Sequence, residues 1–137
     1  IQTLIQGGSI TKKEYTFNNP GKEPDLITVA SAPVIITEGL FIFHYEEINS
    51  ILDHKVYIHA EEEIRLQRRI NRDHRERGYP EKVVRYQWDN HVAPAYRQYL
   101  EPFKSKSDLI INNDVHYENE LESLVSTLSE RLLKIKL

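Results

Sequence analysis

Three short apolar runs, Val34-Ile35-Ile36, Val56-Tyr57-Ile58 and Leu109-Ile110-Ile111, restrict what this chain can fold into more than any other feature. Each reads as a strand. The first and last are unbroken instead of alternating, which suits strands buried on both faces. Long helical patterns lie between and after them, at 61–78, about 80–100 and about 118–134. Strands alternating with helices imply an α/β architecture with a parallel sheet flanked by helices.

The remaining segments fit around that frame. Residues 1–5 read as a helix end, stopped by Gly7-Gly8. Residues 9–17 alternate loosely as a strand that carries Tyr15 and Phe17 on one face. Asn18-Asn19-Pro20-Gly21 is a turn cluster and Leu26-Ile27-Thr28-Val29 a return strand, so a β-hairpin is expected over 9–30. The run 34–39 ends on Glu38 and Gly39, and 41–52 reads as a loop leading to a short helix. Gly78-Tyr79-Pro80-Glu81 separates two helices, the second running to about Leu100 with a bend near Pro94. The closing helix lines up Leu121, Leu124, Val125, Leu128, Leu132 and Ile135.

Composition excludes several classes. The formal charge of −3 argues against a general nucleic-acid binder, because the basic character is local. No apolar run approaches the ~20 residues that cross a bilayer, and no signal peptide is visible, so a cytoplasmic setting fits. With no cysteine, disulfides, thiolate metal sites and thiol catalysis are unavailable. The chain has no methionine and opens at Ile1 in what reads as the last turns of a helix, so it is expected to be part of a longer protein. It holds no G-x-x-x-x-G-K-[ST] phosphate loop: its Gly21-Lys22 pair is followed by Glu23 in a turn.

The chemistry concentrates in 65–78, where six arginines and no lysine follow Glu61-Glu62-Glu63. Acids before bases is the order a helix dipole favours. Arginine grips phosphate with a rigid fork of donors where lysine offers a point charge, so this helix suggests that oxyanions are held. The plainer reading is a solvated face in which Asp73 and Glu76 pair with arginines at helical spacing. Ligands of open α/β sheets bind beyond the carboxyl ends of the strands. Glu38 stands at such an end, where it would hold Mg²⁺ or only cap a turn. Arg69, Arg72 and Arg77 could neutralise a transferring phosphoryl group there. Tyr15 and Phe17 would stack on a planar ligand or belong to the core, and Gln87 would read a base edge or be solvated. The six histidines show no ligand spacing, and no Ser-His-Asp arrangement holds together.

The motif order carries a resemblance. Tyr15-Thr16-Phe17, then Val34-Ile35-Ile36-Thr37-Glu38-Gly39-Leu40, then Arg68-Arg69-Ile70-Asn71-Arg72-Asp73 with Glu76-Arg77-Gly78, resembles the uridine kinases. Gln87, Val92-Ala93-Pro94, Glu101-Pro102 and Ser107-Asp108-Leu109-Ile110-Ile111 extend it over most of the chain. Phosphoribulokinase-like enzymes share the arginine-helix pattern. The resemblance implies a P-loop NTPase of the three-layer, nucleoside-monophosphate-kinase-like fold, incomplete here. Residues 1–137 would form one partial kinase domain, with the 9–30 hairpin as cap and 61–79 as an arginine-rich lid.

It also implies transfer of the γ-phosphate of ATP or GTP to the 5′-hydroxyl of uridine or cytidine, with Mg²⁺. Glu38 would be the Mg²⁺ partner, Tyr15 and its hairpin part of the nucleoside cap, Arg69 and Gln87 substrate contacts, and Arg72 and Arg77 the phosphate clamp. Partners would be a nucleoside and a nucleoside triphosphate, with no nucleic acid and no membrane. A homo-oligomer is compatible, since the sequence does not fix the oligomeric state. The chain departs from the family at Thr16, where an aspartate is usual, near Pro20, where a histidine is, and at Tyr79, where an arginine is. The nucleoside is therefore left open. Nothing in it matches the family's phosphate loop or the aspartate that activates the hydroxyl, so the chain by itself is expected to be inactive. Two alternatives stay beside this reading: a non-catalytic phosphate- or nucleotide-binding module, and a related kinase acting on another small-molecule hydroxyl. A nucleic-acid-binding helix is disfavoured by the net charge and the lack of interleaved aromatics.

Overall fold

The computed structural model describes residues 1–16, 21 and 23–135, with no account of the Ile135 side chain. Phe17 and the turn residues Asn18, Asn19 and Pro20 lie outside the described residues. The chain divides into two compact units, Ile1–Glu38 and Gly39–Leu137.

In the first unit, helix α1 (Gln2–Ile5) ends at Gly7, whose φ of 85° a side chain would resist. Gly8 then passes so near the helix that a Cβ would stand 2.9 Å from the Thr3 methyl. Strands β1 (Ser9–Lys13) and β2 (Leu26–Ala30) form the antiparallel hairpin, with Ser9 opposite Ala30 and Lys13 opposite Leu26. β1 is shorter than the sequence suggests. One more bond follows, from the Glu14 N–H to the Asp25 carbonyl at 2.7 Å, and the ladder stops. Continuing the register would set Tyr15 opposite Pro24 in a non-hydrogen-bonded pair. Tyr15 stands beyond the strand, 82% exposed.

The expected buried strand at 34–39 is corrected by the structure. The segment is irregular, Ile36 is 85% exposed and Glu38 is exposed. An apolar run becomes a strand only when a neighbour takes its backbone N–H and C=O groups. No described strand pairs with this one.

In the second unit a short helix α2 (Glu46–Asn49) precedes β3 (Val56–His59), which pairs in parallel with β4 (Leu109–Asn112) from Val56 opposite Leu109 to His59 opposite Asn112. The crossover between them is helical, so the architecture is mixed α/β, and among the described residues the strands form two small sheets instead of one larger parallel sheet. Helix α3 (Glu62–Arg77) carries Glu62 and Glu63 in its first turn and His74, Arg75 and Arg77 in its last, matching its dipole. Gly78 ends it in the left-handed conformation, φ 67°, with its N–H returned to the His74 carbonyl at 3.1 Å.

The second long helix is divided. Pro80 leads into α4 (Glu81–Gln87), a wide π segment spans Trp88–Val92, and α5 (Ala93–Tyr99) carries Pro94 in its first turn. Pro94 cannot donate to the carbonyl four residues earlier and its ring crowds that carbonyl, so the irregularity falls just before it. Leu66 and Ile70 of α3 pack on Val84, Trp88 and Ala93 to form the core of this unit. A 3₁₀ turn (Glu101–Lys106) leads to β4, and α6 (Glu118–Ile135) closes the fold. Leu124, Leu128 and Leu132 of α6 are half-buried, whereas Leu121 and Val125 stay exposed. Among the described residues no helix is long and apolar enough to cross a membrane.

Candidate functional site

Helix α3 sets Arg69, Asp73 and Arg77 one turn apart on a single stripe, with Arg72 beside them. Asp73 is fully buried, at 0% exposure. Its Oδ1 accepts from Arg72 Nε at 2.9 Å and lies 3.1 Å from Arg77 Nη1, and its Oδ2 lies 3.3 Å from Arg69 Nε. The Arg69 contact is an ion pair without hydrogen-bond alignment, since neither atom is hydrogen-bonded. Arg69 Nη2 donates to Gln87 Oε1 at 3.2 Å, which ties α3 to α4. Four of the residues singled out from sequence, Arg69, Arg72, Arg77 and Gln87, thus share one cluster, with Asp73 at its centre.

The arginines use their donors differently. Arg72, 47% exposed, spends Nε on Asp73, and its two terminal nitrogens have no partner among the described residues. Arg65 donates Nε to the Ala60 carbonyl at 2.9 Å and lies over Tyr96, 3.7 Å from the ring centroid, and more distantly over Trp88. Arg68 donates to the Asn113 and Asp114 carbonyls at 2.7 and 3.0 Å, and Asp114 caps the Glu61 N–H at 2.8 Å. These two arginines brace the strand-to-helix junctions. Arg75 pairs with its neighbour Glu76 at 3.0 Å on the surface, a solvated pair but not one at the helical spacing the plainer reading expects.

Two titrating groups on the flank are perturbed. The Glu62 carboxylate accepts from Arg97 Nη2 at 3.0 and 3.1 Å and from Trp88 Nε1 at 3.4 Å. The Arg97 hydrogen bonds, aided by Trp88, hold it below the usual carboxylate range against the opposing effect of burial. Tyr57 donates its hydroxyl to Tyr96 at 2.6 Å, and burial followed by that bond pushes its phenol well above the usual value.

The other candidates belong to residues 1–38 of the chain. Tyr15 and Glu38 belong to the first unit, both exposed, while Phe17 lies outside the described residues. Among the described residues no group of three or more His, Asp or Glu side chains could hold a metal. A cavity of about 80 Å³ between Phe43, Lys55, Phe103 and Lys106 shares no residue with the arginine cluster. Asp73 is what the sequence reading undervalued: its spacing of four from both Arg69 and Arg77 was visible, its complete burial was not.

Residues 1–118 match the model of the phosphoribulokinase / uridine kinase family. The chain belongs to the phosphoribulokinase / uridine kinase family. It is similar to the uridine kinase of Brevibacillus brevis, 36% identical over 134 residues, covering 98% of this chain and 63% of that protein. A Clostridium perfringens uridine kinase is 32% identical over 134 residues, covering 98% of this chain and 64% of that protein. The mouse protein named uridine-cytidine kinase-like 1 is 31% identical over 140 residues, covering 99% of this chain and 26% of that protein. The chain thus spans about 63% of the length of the bacterial uridine kinase it matches at 36% identity. The family match takes in the hairpin, Glu38, the arginine cluster and Gln87 alike.

Proposed function

We propose that the whole protein phosphorylates the 5′-hydroxyl of a pyrimidine nucleoside, uridine or cytidine, with ATP or GTP as donor. The observation that carries this reading is the arginine cluster. Three guanidinium groups converge on one carboxylate, and the two terminal nitrogens of Arg72 have no partner among the described residues. Phosphate oxygens are the complement of such a fork. Arg72 and Arg77 take the catalytic role of neutralising charge on the transferring phosphoryl group. Arg69 and Gln87 contact substrate, and Tyr15 and Phe17 cover the nucleoside from the hairpin.

Glu38 fits the Mg²⁺ that such a kinase uses as one ligand, direct or through water. It is a single exposed carboxylate, and Mg²⁺ commonly takes one or two carboxylates, with phosphates and water as its other ligands. The ion, when bound, offsets charge on the phosphate oxygens. The fold that goes with this function is a P-loop NTPase of the three-layer, nucleoside-monophosphate-kinase-like type, with 9–30 as cap and 61–79 as lid in a domain of which 1–137 are part. Residues 1–137 alone give no turnover in this reading. A cytoplasmic setting accompanies it, with small-molecule partners only.

The test is a panel of acceptors offered to the whole protein with Mg²⁺-ATP. ADP should form with uridine or cytidine and not with purine nucleosides. Turnover only with another small-molecule alcohol would move the protein to a different acceptor class within the family. Nucleotide binding with no turnover on any acceptor would make it a binding module.

A further inference from the structure

We infer that Asp73 is the positioning residue of the arginine cluster, holding Arg69, Arg72 and Arg77 each by one edge so that the Arg72 fork is already presented to an incoming phosphoryl group. The inference rests on the phosphoryl-transfer reading and adds a residue to it. A fully buried carboxylate is tolerated only where charge and hydrogen bonds compensate it. Here the compensation is the cluster itself, with contacts at 2.9, 3.1 and 3.3 Å. None of the three guanidiniums can swing away without leaving that carboxylate poorly compensated, so their side chains are fixed before any ligand arrives.

The way each one is held matters. Arg72 is anchored through Nε, which leaves both terminal nitrogens for an anion. Arg69 is fixed at two points, Asp73 and Gln87, so the phosphate-facing and nucleoside-facing groups share one scaffold. The anchor is also rigid: Arg69, Asp73 and Arg77 sit on successive turns of one helix, and the Tyr79 N–H returns to the Asp73 carbonyl at 3.2 Å. Preorganised donors stabilise developing charge without a reorganisation cost at the moment of reaction. An acid placed there purely for stability would need no exposed fork on its partner.

Asp73→Asn keeps the shape of the side chain and removes its charge. In the whole protein it should lower kcat by about ten- to a hundredfold, the scale of a small misplacement, with the nucleoside KM changed less, because Arg69 keeps its bond to Gln87. Arg72→Gln should also lower kcat, and the double variant should be no slower than the worse single one, because both remove the same device. Losses that multiply, or an Asp73→Asn protein whose folded fraction keeps wild-type kcat, would overturn the inference.

Should Asp73→Asn fail to fold, the wild-type protein decides. In ¹⁵N-arginine NMR the Arg72 Nε–H should exchange slowly and keep its shift on addition of tripolyphosphate, while the Nη signals move. A freely exchanging Nε–H overturns the proposal. If wild-type protein turns over no nucleoside, the kinase reading fails separately. Tripolyphosphate binding then still tests Asp73: about tenfold weaker binding by Asp73→Asn upholds its role, and unchanged binding removes it.

Discussion

Six arginines on one helix have four different fates, and only the bond each makes tells them apart. Arg65 stacks on aromatics, Arg68 ties down a loop, Arg75 meets Glu76, and Arg69, Arg72 and Arg77 gather on Asp73. The last fate was partly legible, because pairs four apart on a helix face one another. The first two were not. Tyr96 and the Asn113 carbonyl are far along the chain, and no local pattern announces them. At this scale Tyr15→Ala should mainly raise the nucleoside KM of the whole protein. An unchanged KM would return Tyr15 to a purely structural role. Glu62 gives a pH signature. Its folded-state pKa is depressed, so its contribution to stability is present above the ordinary carboxylate value and is lost as pH falls through the lower folded one. The stability gap between wild type and Glu62→Gln should therefore be open at neutral pH and close below about pH 4. A gap that is the same at both pH values would contradict the Arg97 attribution.

Elements whose ends are written in local chemistry are the ones the sequence makes readable. Helix α3 has acids at its start, bases at its end and a glycine where the backbone turns left-handed. Gly78→Ala tests that end alone, since an added Cβ meets nothing within 4 Å. It should cost about 1–2 kcal/mol in urea denaturation, the strain of a left-handed non-glycine residue. A neutral result would mean that the turn relaxes. Strands are less readable, because their bonds come from elsewhere. The run 34–39 has the composition of a buried strand, yet its backbone finds no ladder among the described residues. β1 shows the same dependence: its last bond is the one from Glu14 to Asp25, and nothing in its own alternation marks that point. The α4–α5 irregularity was foreseen at Pro94, and the structure places it over Trp88–Val92, where the turn before the proline widens.

For the whole molecule, family membership is the coarse statement and the arginine cluster the fine one. The order of motifs from Tyr15 to Ile111 makes the family legible in the sequence alone, because spacing over most of a chain is far more specific than a single motif. The cluster could not be read so directly, because it depends on α3 and α4 packing through Leu66, Ile70, Val84 and Trp88 to bring Gln87 to Arg69. If the cluster acts on a phosphoryl group in transit, loss of the Arg72 fork must slow the chemical step. Steady-state kinetics of Arg72→Ala in the whole protein read this out. The expected result is a fall in kcat of about a hundredfold or more with nucleoside KM nearly unchanged, as for loss of one donor to developing charge. An Arg72→Ala enzyme with wild-type kcat would contradict it.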